Sequence, residues 1–334
     1  MSRLRWFVPV VATALLALVA LPAQASDDAL FPQQWSLQKI GAPAAWASST
    51  GAGVRIGIVD TGVDLTHEDL AGKVVASTSC VGAAGDPAKC AGSGQDDQGH
   101  GTHVSGIAAA DKDNHVGIAG VAPAAQLVVA KVLAASGSGS TDDINAGIRW
   151  VVDHGARVVN LSLGDPNFLL TSLHGTPLSE GIEYAWTHGA IPVVAAGNSN
   201  PDGVGLLGSS DYGSLDAIVV GATGPSDEVA PYSSPLGNAK WAIVAPGGQG
   251  GGTPAVDILS TIWKKGLHNQ YASLAGTSMA APHVTGAVAL LLAEGYSQQG
   301  AVDRLLSTAD HQVGCGLNSG TCAGRLDVAR AVAR

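Results

Sequence analysis

Three polar residues of this 334-residue chain stand among small neighbours at places where an apolar run gives way to a helical pattern. Asp60 ends the run Ile56-Gly57-Ile58-Val59 and precedes Thr61-Gly62. His100 sits in Gly99-His100-Gly101-Thr102-His103, and Ser278 in Gly276-Thr277-Ser278-Met279-Ala280-Ala281-Pro282, each at the head of an apolar stretch. Together a carboxylate, an imidazole and a hydroxyl can do nucleophilic chemistry. A hydroxyl is a weak nucleophile until a base takes its proton, and a carboxylate can fix the tautomer of that base. Taken singly, each has a plainer reading. Asp60 could form an Asx turn, His100 could merely pack, and Ser278 could cap a helix whose first turn holds Pro282.

The elements that must position these groups alternate along the chain. Short β-branched runs occur at 54–59, 127–132, 158–163, 191–195, 217–220 and 242–244. Helical patterns occupy 103–110, 142–154, 178–188 and 279–293, and 297–307 and 326–333 read as closing surface helices. Apolar runs without period-two alternation, separated by helices, indicate strands buried on both faces. The expected fold class is α/β: one three-layer domain with a mainly parallel buried sheet flanked by helices. In such sheets reactive groups collect where strands end and helices begin.

Composition agrees. With 46% hydrophobic and 13% charged residues the chain is too apolar for disorder and too poor in charge for a long coiled coil, and its 45 glycines follow no Gly-X-Y period. Net charge is −10, and −12 once residues 1–25 with Arg3 and Arg5 are set aside. So acidic a surface, without a basic stripe, excludes nucleic-acid binding.

Residues 1–25 read as a secretory signal peptide. Arg3 and Arg5 precede an apolar stretch, and Ala23-Gln24-Ala25 offers a small-x-small cleavage site; an uncleaved anchor is the alternative reading. Residues 26–334 would then be a secreted catalytic domain, extracellular or periplasmic, with no membrane association after cleavage. Cys80 and Cys90, and Cys315 and Cys322, lie close in sequence in Gly-rich stretches. Two local disulfides suit an oxidising compartment, although four cysteines allow three pairings. No Cys-x-x-Cys spacing suggests zinc.

The blocks around Asp60, His100 and Ser278 resemble those of the subtilisin-like serine peptidases. Asp28-Ala29-Leu30-Phe31 and Gln38-Lys39-Ile40-Gly41-Ala42-Pro43-Ala44-Ala45-Trp46 narrow the likeness to the thermitase-like branch. It continues through Asp60-Thr61-Gly62-Val63-Asp64, His100-Gly101-Thr102-His103-Val104, Gly120-Val121-Ala122-Pro123, Ser162-Leu163-Gly164 and Ala195-Ala196-Gly197-Asn198. The order Asp…His…Ser is that of subtilisin itself.

The resemblance implies an endopeptidase of broad specificity acting on polypeptides. Ser278 would attack the scissile carbonyl, His100 would act as base and then acid, and Asp60 would orient His100. Asn198 would stabilise the oxyanion together with the Ser278 backbone N–H. Gly137-Ser138-Gly139 and Ser162-Leu163-Gly164 would be the backbone edges flanking an extended substrate. Ala195-Ala196-Gly197 would line the primary pocket, whose small apolar walls suggest apolar or aromatic side chains before the cut. Where the family often has Tyr-Pro-Ala, this chain has Leu206-Leu207-Gly208-Ser209. The mature-type sequence begins within a few residues of Ala25, which implies folding without a covalent propeptide.

Structural calcium is the implied cofactor, bound by Asp28, Asp69, Asn114 and the carbonyls of Val116 and Ile118, an all-oxygen set of the kind this ion selects. Asp96 and Asp97 read as solvated loop acids rather than a second site. His103 and His283 match structural positions, and residues 247–252 lack the Gly-Lys-Ser/Thr ending of a phosphate loop. A monomer is expected, with activity rising through a pKa near about 6.5. Two other readings weigh less. A peptide-binding pseudoenzyme would not keep all four residues, and a lipase-type hydrolase would need a Gly-x-Ser-x-Gly elbow.

Overall fold

The computed structural model describes residues 26–163, 178–198, 212–316 and 319–333. Two short helices, α1 (Trp35–Lys39) and α2 (Ala42–Ala45), come first. The chain then runs β1 (Arg55–Asp60), β2 (Val74–Ser79), α3 (His100–Ala109), β3 (Gln126–Lys131), α4 (Thr141–Asp153), β4 (Val158–Leu161), α5 (Ser179–Thr187) and β5 (Ile191–Ala195). It continues with β6 (Ile218–Thr223), β7 (Trp241–Pro246), β8 (Ile258–Lys264), β9 (Leu267–Leu274), α6 (Thr277–Ala293), α7 (Gln298–Ser307), β10 (Cys322–Arg325) and α8 (Val328–Val332).

Eight strands form one parallel sheet in the order β10-β7-β6-β5-β4-β1-β3-β2. β8 and β9 form a separate antiparallel hairpin. The apolar runs make buried strands because both faces of the sheet are covered. Ile56, Ile58, Val158, Ile191, Val193, Ile218 and Val220 enter a core shared with α3 and α6. The alternate positions Val59, Val159, Leu161, Val194 and Val219 enter a second core with Ala146, Ile148 and Val151 of α4 and Ile182 and Ala185 of α5. A strand apolar at every position is therefore satisfied twice, once per face.

β1 lies between β3 and β4, so the strand order reverses at β1. In open α/β sheets the crevice beyond the carboxyl ends of the strands at such a switch is where ligands bind. Asp60 is the last residue of β1, Lys131 the last of β3, and Ser162 and Asn198 follow β4 and β5 closely.

Helix α6 crosses the interior. All its residues except Ser278 and Ala293 are buried. The first and last described helical segments meet: the Val328 N–H donates to the Ile40 carbonyl at 2.8 Å, and Ala329 packs on Gly41. Disulfides join Cys80 to Cys90 and Cys315 to Cys322. Among the described residues no helix is long and apolar enough to cross a membrane. Residues 1–25 lie outside the described residues, and the proposed signal peptide with them.

Candidate active site

The end of β1 and the start of α3 bring Asp60 and His100 together. Nδ1 of His100 lies 2.8 Å from Oδ1 and 3.0 Å from Oδ2 of Asp60. Asp60 has no exposed side-chain surface, whereas His100 keeps about a quarter of its own. Desolvation alone would lower the His100 pKa, but the Asp60 charge and hydrogen bond, with Asp96 behind them, raise it above 6.5. The expected activity limb therefore moves above 6.5.

α3 begins three residues before the expected position because its first N–H groups have a partner. The Asp96 carboxylate accepts from the N–H groups of Gln98, Gly99 and Thr102 at 2.9–3.0 Å, and from the hydroxyls of Thr61 at 2.9 Å and Thr102 at 2.5 Å. Far from being a solvated loop acid, Asp96 is buried. Through Thr61, whose N–H donates to Asp60 Oδ1 at 2.7 Å and whose hydroxyl accepts from Gly101, it clamps β1 to α3. The buried Lys131 ammonium donates to the carbonyls of Thr61 and Leu133 and to Asp97.

Ser278 is not the helix cap, since Gly276 holds that position and α6 starts at Thr277. Its hydroxyl makes one hydrogen bond among the described residues, to the Ser162 carbonyl at 3.3 Å. Its own carbonyl accepts from the Ser162 hydroxyl at 2.8 Å. That hydroxyl accepts from Asn160 Nδ2 at 2.9 Å, and Asn160 Oδ1 accepts from Thr285 at 3.0 Å. Asn160 and Thr285 are fully buried, so an internal polar chain ties β4 to the turn of α6 that carries Ser278.

Asn198 is oriented by its neighbour on α6. Its Oδ1 accepts from both the N–H and the hydroxyl of Thr277, each at 3.0 Å, which leaves Nδ2 free to aim elsewhere. A Cβ built on Gly276 would lie 3.3 Å from Asn198 Nδ2 and 3.6 Å from the Ser278 nitrogen. Two donors thus border one small space in front of Ser278, which only glycine at 276 leaves open. Thr277 and Asn160 escape the sequence reading, which takes Asp96 for a solvated loop acid. Thr277 sits directly before Ser278, but its role needs the fold to be seen.

Ser162 and Leu163 are buried beside Ser278. Gly137, Ser138 and Gly139 are exposed in a turn closed by the Ala134 N–H on the Ser138 carbonyl at 2.9 Å. Ala195, Ala196 and Gly197 are buried, and the Gly197 N–H donates to the Thr277 hydroxyl at 3.1 Å. Gly164 and the 206–209 segment lie outside the described residues. His103 and His283 are fully buried, with pKa values lowered by desolvation to about 3 and about 4. The glycine run wraps an internal anion: the N–H groups of Gln249, Gly250, Gly251 and Gly252 all donate to Asp257.

A second constellation joins the segment after residue 26 to the loop after α3. Asp28 accepts from the Asp113 and Asn114 N–H groups at 3.2 and 3.0 Å, and Asp69 accepts from Asn114 Nδ2 at 3.0 Å and the Ile118 N–H at 2.8 Å. Desolvation raises the Asp69 pKa, although hydrogen bonds from Asn114, Ile118 and Tyr271 oppose it. The Val116 and Ile118 carbonyls accept no hydrogen bond among the described residues. Two buried carboxylates, a side-chain amide and two unclaimed carbonyls form an oxygen-only donor set that fits a hard cation.

The subtilase family model matches residues 51–321. The chain is 37% identical over 293 residues to thermitase of Thermoactinomyces vulgaris, covering 87% of this chain and 93% of that one. It is 38% identical over 285 residues to the thermophilic serine proteinase of Bacillus sp. strain AK1, covering 85% of this chain and 63% of the relative. Among solved structures, one titled for proteases from Pseudoalteromonas arctica PAMC 21717 matches with a TM-score of 0.77 at 28% identity, over 92% of this chain and 99% of that one. A parallel sheet with the Asp60–His100 pair at its switch point, and a family match across most of the sequence, lead to one conclusion: the chain belongs to the subtilase family of serine endopeptidases.

Proposed function

We propose that the chain hydrolyses peptide bonds through Asp60, His100 and Ser278, with Asn198 and the Ser278 N–H as oxyanion donors. The observation that carries this is the fully buried Asp60 carboxylate bonded to Nδ1 of His100. That bond directs a proton to Nδ1 and leaves Nε2 as the basic nitrogen. Rotation about the Ser278 Cα–Cβ bond releases its hydroxyl from Ser162 and offers the proton to Nε2. The serine oxygen then bonds to the scissile carbonyl carbon, and the carbonyl electron pair moves onto oxygen, where the two N–H donors meet it. Imidazolium protonates the departing amine, leaving an acyl-enzyme on Ser278. Water, deprotonated by the same imidazole, hydrolyses that ester and restores the hydroxyl.

The substrate lies extended between the Gly137–Ser138–Gly139 and Ser162–Leu163–Gly164 edges. The small walls at Ala195, Ala196 and Gly197 favour apolar or aromatic side chains before the cut. Residues 1–25 direct export and are removed, and residues 26–334 act outside the cytoplasm as a monomer. Asp28, Asp69, Asn114 and the carbonyls of Val116 and Ile118 hold calcium, which supplies charge compensation to two buried carboxylates and plays no part in bond cleavage.

The test is fluorophosphonate labelling of the purified protein and of Ser278→Ala. Rapid labelling that disappears in the variant supports an activated serine. A folded protein that fails to label has no working relay, and the proposal falls.

A further inference from the structure

A bound peptide runs away from Ser278 in two directions. Its acyl half lies beside Ser162, while its departing amine takes a proton from His100, so the residues after the cut lie on the His100 side of the nucleophile. That side is walled by the β8–β9 hairpin. β9 passes through Ala275-Gly276 directly into α6 and Ser278. The far end of β8 abuts the residue before His100: a Cβ on Gly99 would lie 2.7 Å from the Trp263 carbonyl oxygen and 2.9 Å from Ile262 Cγ1. The hairpin is also pinned to α3. The Ser260 hydroxyl donates to the His103 carbonyl at 2.7 Å, the Thr261 hydroxyl to the Thr102 carbonyl at 2.8 Å, and His103 Nε2 meets the Ala272 carbonyl at 3.0 Å. Its place relative to His100 is therefore set.

The tip has an unusual make-up for this protein. The pairing register shifts between Ile262 and Lys264: Trp263 alone faces His268 and Asn269, so the bulge lies on β9, where Asn269 takes a left-handed φ of 51°, and such bulges re-aim side chains beside active sites. Trp263 is half-buried, while Lys264, Lys265 and His268 are exposed. Leu267, 51% exposed, is the most open of the large hydrophobic residues described. Lys264 and Lys265 are the only two basic residues adjacent in the chain. Neither forms an ion pair among the described residues. The neighbouring acids are engaged elsewhere: Asp97 with Lys131, Asp96 in the α3 cap, and Glu68 with Asn269 and Tyr271. In a chain of net charge −10, an unpaired double lysine at one exit of the crevice reverses the local sign.

We propose that this hairpin tip binds the part of a polypeptide substrate that follows the cut, and that Lys264 and Lys265 favour an acidic side chain two or three positions beyond it. Trp263 and Leu267 supply apolar contact to the same segment. The inference rests on the serine-endopeptidase reading of Asp60, His100 and Ser278. An exposed ion pair changes binding only about twofold to fivefold, so two lysines acting on a Glu-for-Lys exchange give roughly five- to twentyfold. The effect is screened by salt.

Quenched fluorescent peptides, identical up to the cut and carrying Glu, Gln or Lys at the second and third positions after it, test the inference. Wild type should prefer Glu over Lys by at least about fivefold in kcat/KM at low salt, and less at high salt. The double variant Lys264→Ala/Lys265→Ala should bring that ratio near one while cutting the Gln peptide about as well as wild type. No preference in wild type, or a preference that survives in the double variant, overturns the inference. If wild type cuts none of the peptides and Ser278 also fails to label with fluorophosphonate, it is the endopeptidase reading that has failed, and the inference goes with it.

Discussion

Replacing Gly276 by alanine tests the proposed oxyanion site with a single methyl group. The added Cβ would lie 3.3 Å from Asn198 Nδ2 and 3.6 Å from the Ser278 nitrogen. A carbonyl oxygen held by both donors must come within about 2.7–3.1 Å of each, so methyl and oxygen compete for the same space. The next neighbour is Met279 Sδ at 3.7 Å, an ordinary contact, and Gly276 has extended backbone at φ 160°. The methyl therefore blocks the site without straining the fold. In subtilisin, a member of this family, losing one such donor lowers kcat by about 10²–10³. Obstructing the space shared by two donors should cost at least that, which is about 3–4 kcal/mol in the transition state. The assay is kcat and KM on a fluorogenic peptide, with thermal unfolding of the same samples. The expected result is a fall of at least about a hundredfold in kcat with a melting temperature within about 2 °C of wild type. If Gly276→Ala keeps a tenth or more of the wild-type kcat, the two donors do not converge where the structure indicates.

The low-pH limb of kcat/KM should lie above 6.5, because Asp60 and Asp96 overcome desolvation at His100 and the base acts only when neutral. Asp96→Asn should move that limb to lower pH, and a limb at or below 6.5 in wild type would contradict the assignment. By linkage, the raised His100 pKa adds stability below its unfolded value that is lost as pH rises through the folded pKa, measurable as a decline in urea midpoint over that window. Thr285→Val strips Asn160 Oδ1 of its donor in a fully buried chain. Urea unfolding should register a loss of about 1–3 kcal/mol, whereas an unchanged midpoint would show the link to be idle. Cys80→Ser/Cys90→Ser opens a loop of sequence separation 10 and should cost about 2–3 kcal/mol, read by the same method against oxidised wild type. Chelator should lower the melting temperature and added calcium restore it; an indifferent melting curve removes the metal from Asp28 and Asp69.

The parts legible in the sequence were those buried on two sides. β1 and β3 to β7 declare themselves as unbroken apolar runs, because each residue meets one of two cores. β2, with Val75 41% exposed and Ser77 and Thr78 in its span, carries no such run and was missed. So was the β8–β9 hairpin, whose polar strands pack on α3 through hydroxyls and carbonyls rather than apolar side chains. Asp60, His100 and Ser278 stand out in the sequence because small residues surround each at a strand or helix end. Asp96 was not, because an acid beside a second acid in a loop looks solvated, and only the docking of α3 against β1 gives its oxygens five donors. The Gly-rich run at 247–252 gives no hint in sequence of what its N–H groups meet, which is the carboxylate of Asp257 in the chain itself.

The junction of Val328 with Ile40 and of Ala329 with Gly41 has a consequence in time. Helices α1 and α2 find their partner only when α8 has been made. At about 5–20 residues per second, His100 leaves the ribosome roughly ten to thirty-five seconds before Ser278. The seat of α1 and α2 is completed later still. Through that interval the growing polypeptide is a potential substrate and not yet a catalyst, so the order of synthesis itself delays the moment at which one copy can cut another.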